Sequence, residues 1–407
     1  MMGGQGELRF YYPVDGGRPL ATAVRSLIED FHRVHPNIEV TLVFPGGYGE
    51  TLRQARAAVA AGEPADVTVL YSGVLRTVAR AGVVTALDRF IEKAGGEAFL
   101  ADFFPGVLMN TRTEGLVYGL PFQKSTYLLF YNRVMFREAG LNPDAPPRTW
   151  EELTTAARRL TIRQDGSVVR WGLELPEAGL VPIFLSFIYQ QGAALTDVSG
   201  TRVHLAMREG RRALTLLADL SQRDAVMPAQ PPPWYDVPVH FNAQRIAMMI
   251  HSTSVLPTVR DGAPFPFGAA FVPHGGRYGV CVAGGELCML QGPPERQQAA
   301  WTLMAWLTSP AQQARWFMES GYIAVRSSAW EMEPLAGYVR KFPQVVAARE
   351  QLTYGGPELM TEAVEEVRSA MEEAILDAIA GRRSADEALA RAQTRAEAAI
   401  AGRGAST

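Results

Sequence analysis

The first third of the chain alternates between β-like and helix-like hydrophobic patterns. Short apolar runs at 8–12, 38–44 and 66–70 predict three strands, and amphipathic stretches at 19–34 and 50–60 predict helices between them. Because strands and helices alternate, we expect a mainly parallel sheet with helices on both faces.

The rest of the chain is predicted to be largely helical, with short strands. Two serine or threonine residues, Thr149 and Ser384, are followed three positions later by glutamate, which predicts a capping box at each helix start. Ser309 and Pro310 predict a third helix start. A chain crossover between lobes is expected near 118–126. The remaining predicted elements are strands at 125–131, 245–252, 264–272 and 280–290, helices at 134–138, 294–307 and 310–319, and a helical tail.

Length and charge narrow the class of protein. A chain of 407 residues suggests two lobes, and a net charge of −3 without a basic run argues against nucleic acid or anionic lipid as a partner. The longest apolar run, 180–189, is about half of the roughly 20 residues that a membrane span needs. Residues 1–6 lack an apolar signal core and are interpreted as a tag remnant before a mature sequence that begins near Glu7.

The sequence contains none of the common catalytic or metal-binding motifs that we looked for. The sequence has no Gly-x-Ser-x-Gly, no phosphate-binding Walker loop and no Gly-x-Gly-x-x-Gly after a strand. His32 and His35 have helical spacing without a third ligand nearby, so a solvated helix face is expected there. Cys281 and Cys288 lie seven apart on one predicted strand, hence on opposite faces, and are expected to be free and buried. We therefore expect no enzyme, no metal and no cofactor.

Aromatic, hydroxyl and glycine residues recur where predicted strands end. Ligands of open α/β sheets bind at the carboxyl ends of strands, where aromatic faces can stack on a ligand and hydroxyls can bind its oxygens. Each position alone is typical of a turn, but the recurrence indicates a small hydroxylated ligand. The positions are Tyr11-Tyr12, Gly46-Gly47-Tyr48, Tyr71-Ser72, Ser125-Thr126, His251-Ser252-Thr253-Ser254, Gly284-Gly285 and Gly321-Tyr322.

Seven segments, in order along nearly the whole chain, resemble family 1 extracellular solute-binding proteins of ABC importers. Within that family the resemblance is greatest to proteins that bind glycerol 3-phosphate or glycerophosphodiesters. The segments are 8–17 (LRFYYPVDGG), 31–37 (FHRVHPN), 118–132 (YGLPFQKSTYLLFYN), 145–153 (APPRTWEEL), 284–287 (GGEL), 305–313 (AWLTSPAQQ) and 319–326 (ESGYIAVR).

The resemblance implies an α/β, periplasmic-binding-protein-like fold of type II, similar to maltose-binding proteins. Residues 7–121 and 262–320 would form the first α/β lobe, and 122–261 and 321–407 a second, mostly helical α/β lobe. A hinge would close the lobes on the ligand. The resemblance also implies an extracytoplasmic location and importer permease subunits as partners, and we expect a monomer.

The resemblance also implies ligand-binding positions. Those that match the family directly are Tyr48, Ser125, Ser252 or else Ser254, Gly285 with its neighbour Gly284, and Tyr322. Thr253, Tyr12 and Trp234 complete the predicted set.

Two positions depart from the family pattern. Tyr71, beside Ser72, stands where the family has a glutamate for glycerol hydroxyls, and Tyr354 stands near the position of the phosphate-binding arginine. Lys124 is either a replacement cation or a surface lysine. Losing an arginine–phosphate pair is costly, so a neutral sugar or polyol is the alternative ligand. A ligand sensor and an enzyme on the same fold are the further alternatives.

Overall fold

The computed structural model describes residues 7–14, 16–197 and 199–404; the predicted remnant 1–6 lies outside this range. The strands, numbered in chain order, are β1 Leu8–Tyr11, β2 Val40–Val43, β3 Val67–Tyr71, β4 Arg112–Thr113, β5 Leu116–Val117, β6 Leu120–Ser125, β7 Tyr127–Asn132, β8 Ile162–Gln164, β9 Ser167–Glu174, β10 Ile246–Ser252, β11 Phe267–Phe271, β12 Val280–Cys281, β13 Ala283–Met289 and β14 Gly355–Gly356.

Helices make up most of the remaining regular structure. The α-helices are α1 Pro19–Val34, α2 Tyr48–Ala60, α3 Leu75–Arg80, α4 Asp88–Lys93, α5 Glu97–Ala101, α6 Pro105–Leu108, α7 Arg133–Glu138, α8 Trp150–Leu160, α9 Leu180–Tyr189, α10 Arg208–Ser221, α11 Asp236–Asn242, α12 Leu256–Gly262, α13 Pro294–Leu307, α14 Pro310–Ser320, α15 Leu335–Lys341, α16 Val346–Glu350, α17 Val364–Ile379 and α18 Ala385–Gly404.

The chain divides into two compact units. Among the described residues, unit 1 comprises those up to Ser125 together with Ala283–Lys341, and unit 2 comprises those in Thr126–Val282 and from Phe342 onward. The chain therefore passes between the units at 125/126, 282/283 and 341/342.

Unit 1 is built on a five-stranded sheet with the order β2-β1-β3-β13-β6. Strand β1 is parallel to β2 and β3, whereas β13 is antiparallel to β3 and β6. The sheet is therefore mixed, with the predicted parallel strands on one side. Helix α1 buries the apolar face that its sequence periodicity predicts, including Val24, Leu27 and Phe31, and it packs against α13 and α14.

Unit 2 is built on a second five-stranded sheet with the order β11-β7-β10-β9-β8. Strand β10 is parallel to β9, and β7 is antiparallel to both β10 and β11. The apolar run at 180–189 forms α9, which is buried on almost every side against α10, α17 and β12. In the described residues, no helix is both long enough and apolar enough to cross a bilayer.

The unit boundaries differ from those predicted from the sequence. Residues 262–282 lie in unit 2, because β11 pairs with β7. Residues 321–341 lie in unit 1, where the Ile323 N–H donates to the Lys124 carbonyl at 2.7 Å. The first crossing falls after Ser125 because β6 pairs with β13 over its whole length. Local sequence patterns do not predict these long-range pairings, so the boundaries could not be placed from the sequence.

The segment predicted as one strand at 280–290 is two strands in different sheets. Strand β12 pairs with β14 in unit 2, and β13 joins the unit 1 sheet. Cys281 lies on β12 and Cys288 on β13, so the prediction that both lie on opposite faces of one strand was wrong. Both cysteines are nevertheless free and buried, and burial raises the pKa of the Cys288 thiol.

Both predicted capping boxes are confirmed. Thr149 Oγ1 accepts from the Glu152 N–H at 3.2 Å, and the Glu152 carboxylate accepts in return from the Thr149 N–H. Ser384 and Glu387 exchange the same two bonds. Ser309 precedes Pro310 at the start of α14 as predicted, but its side chain makes no capping bond. Each reciprocal pair satisfies two backbone donors that a helix start leaves open.

Candidate functional site

The unit 1 edge is the set of strand ends at which β3 and β6 finish and β13 begins. Tyr48 opens α2, and Tyr71 ends β3; their ring centroids are 5.9 Å apart. Gly285 lies opposite Tyr71 on β13, and a Cβ there would come within 2.9 Å of the Tyr48 hydroxyl. Two predicted tyrosines and a predicted glycine therefore lie together at one edge of one sheet.

A buried ion pair underlies the unit 1 edge. Lys124 pairs with Glu286, and the two side chains are 1% and 0% exposed. Lys124 Nζ also donates to Ser72 Oγ at 2.8 Å, and Ser72 Oγ lies 2.9 Å from the Gly284 carbonyl oxygen and 3.0 Å from Glu286 Oε1. The interpretation of Lys124 as a surface lysine was wrong, and its charge is compensated within unit 1.

Tyr322 is held at the same edge by an aromatic stack. Its ring stacks on Trp316 at 5.9 Å, and Trp316 stacks in turn on Phe122 at 4.9 Å. The Gln123 amide donates to the Tyr322 hydroxyl at 3.1 Å. Gly321 provides the left-handed residue that ends α14 and directs the chain into this position. Tyr322 therefore has a rigid support and a fixed hydroxyl.

Tyr12 and Ser125 occupy positions other than those expected. Tyr12 is buried in unit 1, where it packs edge-on against Phe10, Phe44 and Trp316, and so belongs to the core beside the stack. Ser125 was expected just past the crossover, but it is the last residue of β6 in unit 1 and lies opposite Ala283. Among the predicted residues, unit 1 thus holds Tyr12, Tyr48, Tyr71, Ser72, Lys124, Ser125, Gly284, Gly285 and Tyr322.

The unit 2 edge lies where β10 ends and β7 begins, and it carries a turn of three hydroxyl residues. Ser252 ends β10 opposite Tyr127, and the Thr253 N–H donates to the Thr126 carbonyl at 2.9 Å. Ser252 Oγ accepts from the Ser254 N–H at 3.1 Å and donates to Ser254 Oγ at 2.9 Å. These bonds fix the predicted Ser252–Ser254 segment as one rigid turn.

His251 connects this turn to Trp234. The Ser252 N–H donates to His251 Nδ1 at 2.9 Å, so Nε2 carries the proton and donates to the Trp234 carbonyl at 3.0 Å. The two rings meet edge to face at 4.4 Å. Burial lowers the pKa of His251 to about 4, which keeps the imidazole neutral near pH 7.

Tyr354 lies elsewhere in unit 2, in an aromatic group with Phe271 and Tyr278. Its ring centroid is 6.0 Å from that of Phe271 and 5.3 Å from that of Tyr278, and it is 42% exposed. An aromatic surface therefore stands where the family resemblance would place a phosphate-binding arginine.

Three residues with clear roles at the unit 1 edge were not predicted as ligand-binding: Gln123, Glu286 and Trp316. His251 was named only as one of the strand-end positions, without a role of its own. The partners of Gln123 and Glu286 lie 199 and 162 residues away in sequence, so no local pattern indicates those contacts.

The described residues contain no group of three or more His, Cys, Asp and Glu side chains that could hold a metal ion. His32 is partly buried, and its Nε2 accepts from the Val40 N–H at 2.9 Å. The prediction of a solvated histidine on that helix was therefore wrong in detail, because His32 joins α1 to β2.

Two α/β units, three chain crossings between them and polar strand ends in each define a periplasmic-binding-protein-like fold of type II. The sequence profile of the bacterial extracellular solute-binding proteins matches residues 26–341. The chain therefore belongs to the family of bacterial extracellular solute-binding proteins.

Individual relatives are similar over almost their whole length. The sn-glycerol-3-phosphate-binding periplasmic protein UgpB of Pectobacterium atrosepticum is 23% identical, with 97% of this chain and 91% of that protein covered. UgpB of Mycobacterium tuberculosis in complex with glycerophosphocholine has a TM-score of 0.85 at 22% identity, with 98% and 99% covered.

Sugar-bound structures share the same fold. A solute-binding protein of Thermotoga lettingae bound with α-D-tagatose has a TM-score of 0.83 at 22% identity, covering 97% of this chain and 99% of that one. Maltose-bound MalE3 of T. maritima has a TM-score of 0.81 at 22% identity, covering 95% and 98%. These similarities show a maltose-binding-protein-like fold.

Proposed function

We propose that this protein binds a small hydroxylated ligand that carries a glycerol phosphate group. Within that class, we propose that it prefers a glycerophosphodiester to glycerol 3-phosphate. The observation that carries this proposal is the unit 1 edge, where Tyr48, Tyr71 and the supported Tyr322 combine aromatic faces with hydroxyls beside a glycine backbone. The names of the UgpB relatives support the glycerol phosphate class.

Charge favours the diester over glycerol 3-phosphate. At the unit 1 edge the Lys124 cation is compensated by Glu286, so it adds no net positive charge for a dianion. A phosphodiester carries one negative charge, whereas a phosphomonoester carries about 1.5 to 2 at pH 7. Placing the smaller charge near these neutral edges costs less desolvation free energy.

The second candidate ligand is a neutral sugar or polyol. Two observations favour it: the neutral unit 1 edge, and the aromatic group of Phe271, Tyr278 and Tyr354 where a phosphate-binding arginine would be expected. Sugar-bound proteins of the same fold support this alternative.

A thermal-shift panel separates these ligands. The compounds are glycerophosphocholine, glycerol 3-phosphate, maltose, trehalose, glucose and glycerol. A compound at about 100 times its dissociation constant should stabilise the protein by about 2.7 kcal/mol, which moves the melting midpoint by several degrees. We expect the largest shift with glycerophosphocholine. A shift in the melting midpoint with sugars alone would contradict the phosphodiester proposal and identify a neutral sugar as the ligand.

Truncation of either edge tyrosine, by Tyr48→Ala or Tyr322→Ala, is expected to weaken ligand binding by about 1–3 kcal/mol, the cost of losing a buried aromatic contact. Calorimetric titration with the compound that shifts the wild-type protein most measures the loss. Tyr338→Ala is the matched control, because the Tyr338 ring packs edge-on against Phe317 elsewhere in unit 1. Unchanged affinity in both edge variants would contradict their assignment.

The remaining parts of the proposal follow from the family. We propose that the protein acts outside the cytoplasmic membrane as a monomer, delivers its ligand to importer permease subunits and catalyses no reaction. Recovery of the ligand chemically unchanged after incubation tests the last point against an enzyme on the same fold. Capture by closure of the two units remains a prediction; a ligand-induced fall in the radius of gyration, measured by small-angle scattering, checks it.

A further inference from the structure

Arg148 and His274 lie on neighbouring backbone segments of unit 2. The His274 N–H donates to the Arg148 carbonyl at 2.9 Å, and the Trp150 N–H donates to the His274 carbonyl at 3.1 Å. The Arg148 N–H donates in turn to a Glu152 carboxylate oxygen at 2.6 Å, at the capped start of α8. These bonds hold the backbone of both residues in place, so their side chains start close together.

Tyr278 contacts both side chains. Arg148 Nε donates to the Tyr278 hydroxyl oxygen at 3.2 Å, and the His274 ring meets the Tyr278 ring edge to face at 4.6 Å. Arg148 is exposed, whereas His274 and Tyr278 are half-buried. The three side chains, which we call the Arg148 cluster, therefore form one contiguous group at the surface of unit 2.

The Arg148 cluster presents hydrogen-bond donors that the described residues do not use. The Tyr278 hydroxyl accepts from Arg148 and so keeps its own proton for another acceptor. The Gly276 N–H donates to His274 Nδ1 at 3.3 Å, so Nε2 carries the proton of the neutral ring. No acceptor among the described residues binds that Nε2–H, the Tyr278 proton or the Arg148 Nη groups. All of these donors are therefore available to a ligand.

The charge at the Arg148 cluster is positive. Among the described residues, no carboxylate forms an ion pair with the Arg148 guanidinium, and Glu152 attracts it only from a distance. The Glu152 carboxylate is bound instead by the backbone N–H groups of Arg148 and Thr149, as the capping box requires. An arginine without an ion-pair partner, with further donors beside it, favours an oxyanion over a neutral ligand.

The Arg148 cluster adjoins the aromatic group at the unit 2 edge. The Tyr278 ring centroid lies 5.2 Å from that of Phe271, the last residue of β11, and 5.3 Å from that of Tyr354. Strand β11 ends beside the start of β7, because Phe271 lies opposite Leu128. The positive charge therefore lies next to an aromatic surface at the end of the sheet where the unit 2 edge is formed.

We propose that the Arg148 cluster binds an oxyanion of the phosphate-ester type. The Arg148 guanidinium supplies the charge, and the Tyr278 hydroxyl and the His274 Nε2–H supply two further donors. Guanidinium groups suit this chemistry, because their paired N–H donors match two oxygens of one phosphate. The oxyanion is either the phosphodiester of the ligand or free inorganic phosphate, and both present the same kind of oxygen to the cluster.

Where the oxyanion is the phosphodiester of the ligand, the assignment rests on the proposed function and adds a cation that the unit 1 edge does not offer. Lys124 is compensated by Glu286, and Tyr354 stands where the family resemblance implies an arginine. Arg148 belongs to a different segment, the loop before α8. The charge thus comes from an element to which neither the strand-end pattern nor the resemblance assigns a ligand role.

Replacement of Arg148 by glutamine tests the role of the charge. Arg148→Gln keeps an amide donor but removes the guanidinium, and we expect it to weaken glycerophosphocholine binding about tenfold in calorimetric titration. Binding of maltose, which has no charge, should change less than about twofold. The melting midpoint of the ligand-free variant should match that of wild type, because the exposed side chain makes one hydrogen bond within the described residues.

Arg277→Gln is the matched control. Arg277 is also an exposed arginine and directly precedes Tyr278, but its Nε donates to the Tyr189 carbonyl at 3.3 Å, at the C-terminal end of α9. We expect this variant to bind glycerophosphocholine within about twofold of wild type. A loss equal to that of Arg148→Gln would show that only the general positive charge of this surface matters, and it would overturn the assignment.

A double-mutant cycle tests whether the cluster acts as one site. Tyr278→Phe removes the hydroxyl and keeps the ring, and we expect it to weaken glycerophosphocholine binding severalfold. In Arg148→Gln the same change should have a smaller effect, because the hydroxyl both orients Arg148 and contacts the same oxyanion. Losses that simply multiply would show that the two side chains do not bind one oxyanion together.

Titration with glycerophosphocholine and with inorganic phosphate separates this site from the proposed function. Full retention of glycerophosphocholine affinity in Arg148→Gln overturns the role of the Arg148 cluster and leaves the proposed function intact. Binding of inorganic phosphate that Arg148→Gln abolishes, without binding of glycerophosphocholine, supports the oxyanion site and contradicts the phosphodiester ligand. If the wild-type protein binds neither anion, the oxyanion site is overturned whichever sugar binds.

Discussion

Replacing Lys124 by methionine is expected to destabilise unit 1 by about 3–5 kcal/mol, because the change leaves the Glu286 carboxylate buried without its partner. Both side chains are almost completely buried, and Glu286 Oε2 has no hydrogen-bond partner among the described residues. The remaining contact to Ser72 cannot offset the lost cation. Urea denaturation, with amide exchange in the unit 1 strands to identify which unit opens, measures the effect.

Two further variants test whether the loss of stability in Lys124→Met arises from the burial of the unpaired Glu286 charge. The double variant Lys124→Met with Glu286→Leu removes both charges and should recover most of the loss, since an apolar pair of similar volume avoids the desolvation cost. Arg53→Met breaks the exposed Arg53–Glu50 pair on α2 and should cost less than about 1 kcal/mol. A Lys124→Met loss no larger than that of Arg53→Met would contradict the compensating role of the buried pair.

The Lys124–Glu286 pair also shows why the candidate site was only partly predictable. A lysine between Gln123 and Ser125 gives no sequence signal of burial, because its partner lies 162 residues further along the chain. The chain positions of the tyrosines and serines were predicted from the ends of local strands, which short apolar runs reveal. The ion pair depends on the pairing of β6 with β13, which no local pattern encodes.

The fold was predictable to the extent that it depends on local signals. The capping residues Thr149 and Ser384 start helices through bonds that span only three residues, and both predictions are confirmed. The segment 280–290 was misread because β12 ends at Cys281 and β13 begins at Ala283 in a different sheet, with only Val282 between them. Long-range pairing decides such a boundary, and hydrophobic periodicity does not reveal it.

Gly284→Ala is expected to abolish ligand binding and to destabilise unit 1 by about 3 kcal/mol or more. The Gly284 backbone has φ of 124°, which side-chain-bearing residues rarely adopt, and a Cβ there would lie 1.9 Å from the Gln123 carbonyl oxygen. Relief of that clash requires β13 to move away from β6. The movement would break the Ser72 contact with the Gly284 carbonyl and displace Gly285 from the Tyr48 hydroxyl.

The matched control is Gly292→Ala, just after the same strand. Apart from its two chain neighbours, no described residue has a heavy atom within 4 Å of a Cβ at Gly292, and its φ lies outside the left-handed region, so stability and affinity should both stay near wild type. Titration calorimetry and urea denaturation on the two variants measure the contrast. Affinity lost without a fall in stability would mean that Gly284 contacts the ligand directly; wild-type affinity in Gly284→Ala would show that the β6–β13 backbone does not shape the binding edge. We expect affinity and stability to fall together, because the close approach of β13 to β6 at Gly284 both completes the sheet and positions the binding edge.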